Sequence, residues 1–279
     1  MPVPSLTSGS GVDVPAIGLG TFRLRGERGV DAIVRALGMG YRLLDTAASY
    51  DNEGTVGRAV RSSGVPREEI LVSSKIQGRY QARASALESV QESLLRTGLD
   101  YIDLFLIHWP NPRRDLYVEA WESLLEARER GYIRNLGVSN FLPEYLERLQ
   151  RETGELPVVN QIEMHPYFPQ LDQLAVHERM GIVTEAWTPL GRGNELLDDP
   201  VIQGIAKAHG WSAAQCVLRW HAQLGAVPLP KAESPERQKE NIDSFEIGLL
   251  DEAEVAAISA LGRPDGRTSD QDPAVYESL

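Results

Sequence analysis

The chain has 279 residues, of which 42% are hydrophobic and 24% charged, so we expect one ordinary globular domain spanning residues 1–279. The formal net charge of -12 argues against non-specific binding to nucleic acid or to anionic membranes. Cys216 is the one cysteine, which excludes an intramolecular disulfide and favours a buried, inert thiol. The first residues lack the basic and apolar segments of a signal peptide, so a cytoplasmic protein is expected.

Apolar runs and helical repeats alternate along most of the chain. Two short runs within residues 4–17, separated by Gly9-Ser10-Gly11, predict an N-terminal β-hairpin. Strands are then predicted over residues 16–22, 43–44, 70–74, 102–107, 133–138, 158–161, 182–187 and 225–229. Helices are predicted over residues 30–37, 53–63, 83–96, 116–130, 142–151, 171–180, 201–209 and 213–223. This alternation predicts an α/β protein with a (β/α)8 TIM barrel, followed from Gly262 by a loop-like or flexible tail.

One segment partly matches the glycine-rich fingerprint of a dinucleotide-binding Rossmann fold. Gly18-Leu19-Gly20 follows an apolar run, but Arg23 occupies the position of the third glycine. The fingerprint requires all three glycines within a strand–helix–strand unit that an acidic residue completes. The sequence therefore disfavours a Rossmann fold.

Single polar residues end three successive predicted strands. Asp45, Lys75 and His108 each follow an apolar run, and Tyr50 lies just beyond the first of them. The carboxyl ends of parallel barrel strands meet on one face, which is where active sites of such barrels are built. A buried carboxylate also needs a cation or hydrogen-bond donors nearby. We therefore expect these four side chains to lie together.

This set of side chains suits the reduction of a carbonyl group. A lysine ammonium favours the phenolate and so lowers the pKa of a nearby tyrosine, while Asp45 keeps the lysine charged. Tyr50 is then a candidate general acid, and His108 can donate a hydrogen bond to the same oxygen. No side chain supplies a hydride, so a nicotinamide cofactor is implied.

Seven segments, in order, resemble signatures of the aldo-keto reductase family, with the greatest likeness to bacterial 2,5-diketogluconate-reductase-like members. The resemblance extends from about Gly18 to Asn241. The segments are Leu44-Asp45-Thr46-Ala47 with Tyr50, Ser74-Lys75, Ile107-His108-Trp109-Pro110, Gly137-Val138-Ser139-Asn140-Phe141, Asn160-Gln161-Ile162-Glu163-Met164-His165-Pro166, Pro189-Leu190-Gly191 and Pro230-Lys231.

The resemblance implies a role for each matching position. Tyr50 would be the proton donor, Lys75 the residue that modifies its pKa, Asp45 the partner of the lysine, and His108 the residue that orients the substrate. Residues implied to bind NADP(H) are Ser139, Asn140 and Gln161 at the carboxamide, Trp187 at the nicotinamide ring, the following Thr188, Pro189, Leu190 and Gly191, Lys231, Ser234 and Arg237 at the 2′-phosphate, and Asn241 at adenine.

Two departures from the family pattern bear on ligands. The run Lys231-Ala232-Glu233 replaces a common Lys-Ser-Val, which weakens the case for a 2′-phosphate; NADPH remains favoured because Lys231 and Arg237 are present, with NADH as the alternative. Many members carry a tryptophan in the loop after the lysine, where this chain has Arg79. Arg79 is expected to attract an anionic substrate, and Phe22 and Trp109 are expected to line the substrate pocket.

Other functions use the same residues differently. A metal-dependent barrel hydrolase needs several ligands at strand ends, but only Asp45 and His108 qualify, and no metal site is expected. A cofactor-binding regulatory protein that turns over slowly remains an alternative to an enzyme. Asp45 and Lys75 could also form a purely structural ion pair. We expect a small-molecule carbonyl substrate, no nucleic-acid or membrane partner, and a monomer.

Overall fold

The computed structural model describes residues 3–278, and it begins with the predicted hairpin. Strand β1 (Ser5–Thr7) pairs antiparallel with β2 (Asp13–Pro15). Val14 of β2 is fully buried and packs in a cluster with barrel residues such as Leu104 and Val227. The hairpin therefore covers the end of the barrel at which the strands begin.

Eight parallel strands form the predicted barrel. Neighbours in the sheet are also neighbours in sequence, from β3 to β10. Closure comes from backbone amides of the first strand: the N–H of Gly18 donates to Pro228 O at 3.1 Å, and that of Gly20 to Pro230 O at 3.2 Å. The strands are β3 (Leu19–Gly20), β4 (Leu43–Asp45), β5 (Leu71–Ile76), β6 (Ile102–Ile107), β7 (Ile133–Ser139), β8 (Val159–Glu163), β9 (Val183–Trp187) and β10 (Ala226–Pro228). The (β/α)8 prediction is confirmed.

Helices surround the strands, and all eight predicted helices are present. They are α1 (Gly26–Gly38), α2 (Glu53–Ser62), α3 (Arg83–Thr97), α4 (Tyr117–Glu129), α5 (Pro143–Thr153), α6 (Leu171–Met180), α7 (Pro200–His209) and α8 (Ala213–Gln223). Two further helices, α9 (Pro235–Asp243) and α10 (Glu252–Ser259), were not predicted. Helix α9 buries only a narrow side, so its apolar periodicity is weak. The sequence indicates this helix only at its N-terminus, where Ser234 is the N-cap and Pro235 occupies the first position.

The C-terminal tail contains no helix or strand among its described residues, as predicted, but it packs on the barrel. The N–H and hydroxyl of Thr268 both donate to Glu163 Oε1, each at 2.6 Å. The ring of Tyr276 meets that of Trp109 edge-on, with centroids 4.6 Å apart. The tail thus lies over the face where the strands end. The expected buried thiol is confirmed: burial is the main cause that raises the pKa of Cys216 to about 12.

Packing of α2 on α3 depends on one glycine. A Cβ at Gly57 would lie 1.8 Å from Thr97 O, whereas a Cβ at Gly204 in α7 would meet no atom within 4 Å. We expect Gly57→Ala to lower the free energy of unfolding by about 1–3 kcal/mol or more, since the two backbones must separate. Gly204→Ala should raise it by up to about 1 kcal/mol, because alanine favours the helix. Urea denaturation measures both, and equal stability of the two variants would contradict the packing.

Candidate active site

A buried ion pair lies at the carboxyl ends of β4 and β5. Asp45 is the last residue of β4, and its Oδ1 accepts a hydrogen bond from Lys75 Nζ at 2.5 Å. The ammonium also donates to Thr46 O at 2.9 Å. Lys75 is fully buried and Asp45 is 4% exposed. The strand ends therefore bring together the cation and the carboxylate that the sequence predicts to meet.

Tyr50 lies in the short 3-10 helix Ala48–Tyr50 just after β4. Its ring centroid is 5.0 Å from Lys75 Nζ. Arg25 fixes the backbone of this turn, donating from Nε and Nη2 to Tyr50 O at 3.1 and 2.7 Å. The rings of Phe22 and His108 meet Tyr50 edge-on, with centroids 5.1 and 6.1 Å away. All four predicted catalytic side chains thus converge.

Burial and charge oppose each other at the lysine and the tyrosine. Burial lowers the pKa of Lys75, but the charge of Asp45 and the contribution of Tyr50 outweigh it and leave the pKa above its ordinary value. Burial raises the pKa of Tyr50, and the opposing charge of Lys75 does not reverse the shift. The expectation that the lysine would bring the phenol below its ordinary pKa is wrong in net direction. Desolvation of the phenolate in this structure exceeds the attraction of the ammonium.

His108 follows β6 directly and is neutral at physiological pH. Burial, with a further contribution from the Lys75 charge, lowers its pKa to about 3. A neutral imidazole carries one N–H donor and one acceptor nitrogen. The side chain lines the cavity described next, so it can donate a hydrogen bond to a ligand there.

A cavity of about 940 Å³ opens above these residues. Asp45, Tyr50 and His108 form part of its wall, while Lys75 lies directly beneath them. The predicted cofactor and substrate residues that line it are Phe22, Trp109, Ser139, Asn140, Gln161, Trp187, Thr188, Pro189, Leu190, Lys231, Arg237 and Asn241. The cavity therefore extends from the candidate catalytic side chains to the start of α9.

Strained backbone is concentrated around this cavity. Four non-glycine residues with positive φ line it: Arg23 (68°), Asn140 (63°), Thr188 (57°) and Arg192 (53°). Asparagine tolerates this region, but a β-branched residue such as Thr188 is an outlier there. Such conformations cost on the order of 1–3 kcal/mol each and tend to occur at functional sites.

Polar side chains near the ion pair form a connected network. Ser139 Oγ donates to Gln161 O at 2.8 Å, and Asn140 Nδ2 donates to His108 O at 3.1 Å. Trp187 Nε1 donates to Asn140 Oδ1 at 2.9 Å, which fixes the indole at the cavity wall. The amide oxygen of Gln161 accepts no hydrogen bond within residues 3–278. A free acceptor beside a fixed aromatic ring fits the carboxamide and ring of a nicotinamide.

The far end of the cavity carries positive charge. Lys231 and Arg237 line it together with Asn241. Glu233, the residue expected to weaken phosphate binding, accepts from Arg28 Nη2 at 2.7 Å and from Lys231 Nζ at 3.5 Å. Arg28 of α1, which the sequence did not single out, therefore offsets the added carboxylate. These cations fit the phosphate of a dinucleotide.

Besides Lys75, three of the residues assigned from sequence lie outside the lining of the cavity. Gly191 is buried in the loop after β9. The hydroxyl of Ser234 accepts from the N–H of Arg237 at 3.4 Å and so caps α9. Arg79 lines a separate cleft, and its guanidinium lies 5.0 Å from the ring centroid of Tyr80. Arg79 lies in the short helix Gly78–Tyr80 and does not line the cavity, so its expected role in binding substrate stays a prediction.

Several cavity residues escaped the sequence analysis. Arg23 and Arg192 supply guanidinium groups to its wall, and Gln271, Tyr276 and Ser278 contribute from the tail. The two arginines directly follow Phe22 and Gly191, which were assigned to the site from sequence, so their positions in the chain could have indicated that they line the cavity. The tail gave none, since its polar composition is also that of a solvent-exposed loop.

Within residues 3–278, no three histidine, cysteine, aspartate or glutamate side chains are grouped so that they could hold a metal ion. Across the same residues, no helix has the length and apolar character needed to cross a bilayer.

Comparison with known proteins identifies the family. A sequence model of the Aldo/keto reductase family matches residues 16–263. 2,5-Diketo-D-gluconic acid reductase B of Corynebacterium sp. (strain SHS752001) is 49% identical over 277 residues, which cover 99% of both chains. A variant of Gox0644, solved in complex with NADPH, superimposes with a TM-score of 0.93 at 38% identity and covers 99% of this chain and 100% of that one. A Bombyx mori aldo-keto reductase in complex with NADP gives a TM-score of 0.90 at 33% identity, covering 100% and 99%.

These matches extend over nearly the whole chain and agree with the barrel. The protein is an oxidoreductase that depends on a nicotinamide cofactor. It belongs to the aldo/keto reductase family.

Proposed function

We propose that the protein reduces the carbonyl group of small aldehydes or ketones to an alcohol, with NADPH as the hydride source and Tyr50 as the proton donor. One observation carries the proposal. The phenol of Tyr50 lies over the ammonium of Lys75, which is bonded to Asp45 at 2.5 Å, and both Tyr50 and Asp45 face a cavity large enough for a dinucleotide. These positions support a proton donor next to the binding site of the cofactor that supplies the hydride.

Tyr50 acts as the acid because it holds its proton until the carbonyl oxygen gains negative charge. Burial raises the pKa of the phenol, so the hydroxyl is protonated at neutral pH. When the proton leaves, the phenolate is stabilised by the charge of Lys75 beneath it. Asp45 balances the ammonium and keeps it charged throughout.

His108 orients the carbonyl group. Its pKa of about 3 keeps the imidazole neutral, so it donates a hydrogen bond without competing as an acid. Its ring lies edge-on to Tyr50, which allows both side chains to approach one oxygen atom. Phe22 and Trp109 line the same cavity and give it apolar surface.

The remaining cavity residues bind the cofactor in this proposal. When bound, reduced nicotinamide supplies the hydride that no side chain can provide. Ser139, Asn140 and Gln161 would hold its carboxamide, and Trp187 would stack on its ring. Arg28 shares Glu233 with Lys231, which supports NADPH over NADH, because the carboxylate then opposes a 2′-phosphate held by Lys231 and Arg237 less strongly.

The relative from Corynebacterium directs attention to sugar keto acids as substrates. It is named for 2,5-diketo-D-gluconic acid, which carries a carboxylate. Arg23 and Arg192 place two guanidinium groups on the cavity wall, which also carries the carboxylate of Asp198, although the chain as a whole has a net charge of -12. This favours anionic ligands in the cavity, whether cofactor phosphate or substrate carboxylate.

Replacing the proton donor tests the proposal directly. We expect Tyr50→Phe to lower kcat for a small aldehyde by a factor of about 10² to 10⁴, because the hydride transfer loses its proton source. NADPH should bind Tyr50→Phe with nearly unchanged affinity. Loss of absorbance by NADPH measures turnover, and fluorescence titration measures binding. Tyr80→Phe, in the separate cleft, is the matched control and should behave as the wild type.

Wild-type kcat in Tyr50→Phe would remove Tyr50 from the reaction. A wild-type protein that binds NADPH but reduces none of a panel of aldehydes, ketones and sugar keto acids would favour the regulatory alternative instead.

Cofactor choice is tested at α9. Arg237→Ala should weaken NADPH about tenfold or more and NADH little, because a charged hydrogen bond to the 2′-phosphate is lost. Lys239→Ala on the same helix is the control, since that ammonium pairs with both oxygens of Asp243. Equal loss of affinity for both cofactors in Arg237→Ala would show that this guanidinium does not bind the 2′-phosphate.

A further inference from the structure

Glu185 is a buried carboxylate that the reaction outlined above does not use. It lies in β9 and is fully buried, with Gln161 of β8 and Val227 of β10 as its partners in the sheet. Its Oε2 accepts a hydrogen bond from Gln161 Nε2 at 2.7 Å. Its Oε1 is buried without a partner in the described part of the chain. Burying a carboxylate oxygen without a hydrogen-bond partner lowers the stability of the barrel.

The charged groups facing Glu185 come from β4 and β5. Burial and the charge of Asp45 raise the pKa of Glu185 to about 7, against the opposing effects of the Gln161 hydrogen bond and Lys75. A buried charge of this kind does little for stability, and an apolar residue of similar volume often replaces it without loss. A role in ligand recognition accounts for its presence better than a role in folding.

The amide of Gln161 is held between two carboxylates. Its Nε2 donates to Glu185 Oε2 at 2.7 Å and to Asp45 Oδ1 at 2.9 Å. A primary amide has two N–H donors, so both are occupied. Exchange of the amide oxygen with the nitrogen is disfavoured, because the oxygen would then face Asp45 Oδ1, which is an acceptor. That oxygen has no hydrogen bond within residues 3–278, and Gln161 lines the cavity.

We propose that Glu185 is a positioning residue that, together with Asp45, orients Gln161 so that its amide oxygen accepts an N–H from the carboxamide of the cofactor. The inference rests on the proposed function, because it assigns Gln161 to the nicotinamide end of the ligand. It adds a reason why the site would prefer a carboxamide to other ring substituents: the fixed oxygen accepts a hydrogen bond and cannot donate one.

Equilibrium binding of three ligands to the cofactor-free protein measures the contribution of the hydrogen bond between the carboxamide and Gln161. NADP+ carries the carboxamide, its acetylpyridine analogue replaces the amide N–H groups with a methyl, and 2′-phospho-ADP-ribose lacks the ring. We expect Glu185→Leu to weaken NADP+ about tenfold, since the amide is released and the acceptor is lost. Binding of the analogue and of 2′-phospho-ADP-ribose should be unchanged. Glu185→Gln, which keeps an acceptor oxygen, should retain NADP+ affinity within about threefold.

Two further variants control for the loss of any buried carboxylate and for misfolding. Glu53→Leu removes another buried carboxylate, which accepts from Ser74 Oγ and Arg96 Nε, and should leave NADP+ affinity unchanged. Should Glu185→Leu fail to fold, Glu185→Asp retracts the carboxylate by one methylene and should weaken NADP+ alone.

Equal weakening of NADP+ and 2′-phospho-ADP-ribose in the Glu185 variants would overturn the proposal, as would unchanged NADP+ affinity. Failure of the proposed function has a different signature. The wild type would then reduce no carbonyl compound, while the ligand comparison at Glu185 would still give its own result.

Discussion

The buried ion pair between Lys75 and Asp45 is the interaction on which the rest of the candidate site depends. An isolated ammonium inside the barrel would lose its proton or destabilise the fold, because desolvation of a charge is expensive. With Asp45 at 2.5 Å, the ammonium stays charged and can act on Tyr50. The same carboxylate oxygen accepts from Gln161, so one ion pair links the candidate acid–base residues to a residue proposed to bind the cofactor.

The barrel makes this linkage possible. Residues 30 to 116 positions apart in the chain meet because parallel strands end on one face, as Asp45, Lys75 and Gln161 do. The strained turns at Asn140 and Thr188 lie at the ends of β7 and β9, where the backbone must leave the barrel and pass along the cavity. The rigid sheet can hold such conformations in place.

Much of this could be predicted from the sequence. Asp45, Lys75 and His108 stood out because each is a single polar residue after an apolar strand, and strand ends of a parallel barrel converge. The position of Arg79 outside the cavity lining could not be predicted this way, because Arg79 lies in a three-residue helix after β5 and not at a strand end. The net pKa shift of Tyr50 depends on the balance of burial against charge, which has no signature in sequence. Glu185 was missed because it lies inside an apolar run and its importance arises only from Gln161 beside it.

We infer that the charge of Lys75 stabilises the phenolate of Tyr50. NMR titration of ring-labelled tyrosine, with the Tyr50 signal assigned from its loss in Tyr50→Phe, measures this pKa in the wild type and in Lys75→Met. We expect a higher pKa of Tyr50 in Lys75→Met, because an ammonium that favours the phenolate is lost while burial and Asp45 remain. An unchanged or lower pKa in that variant would contradict it.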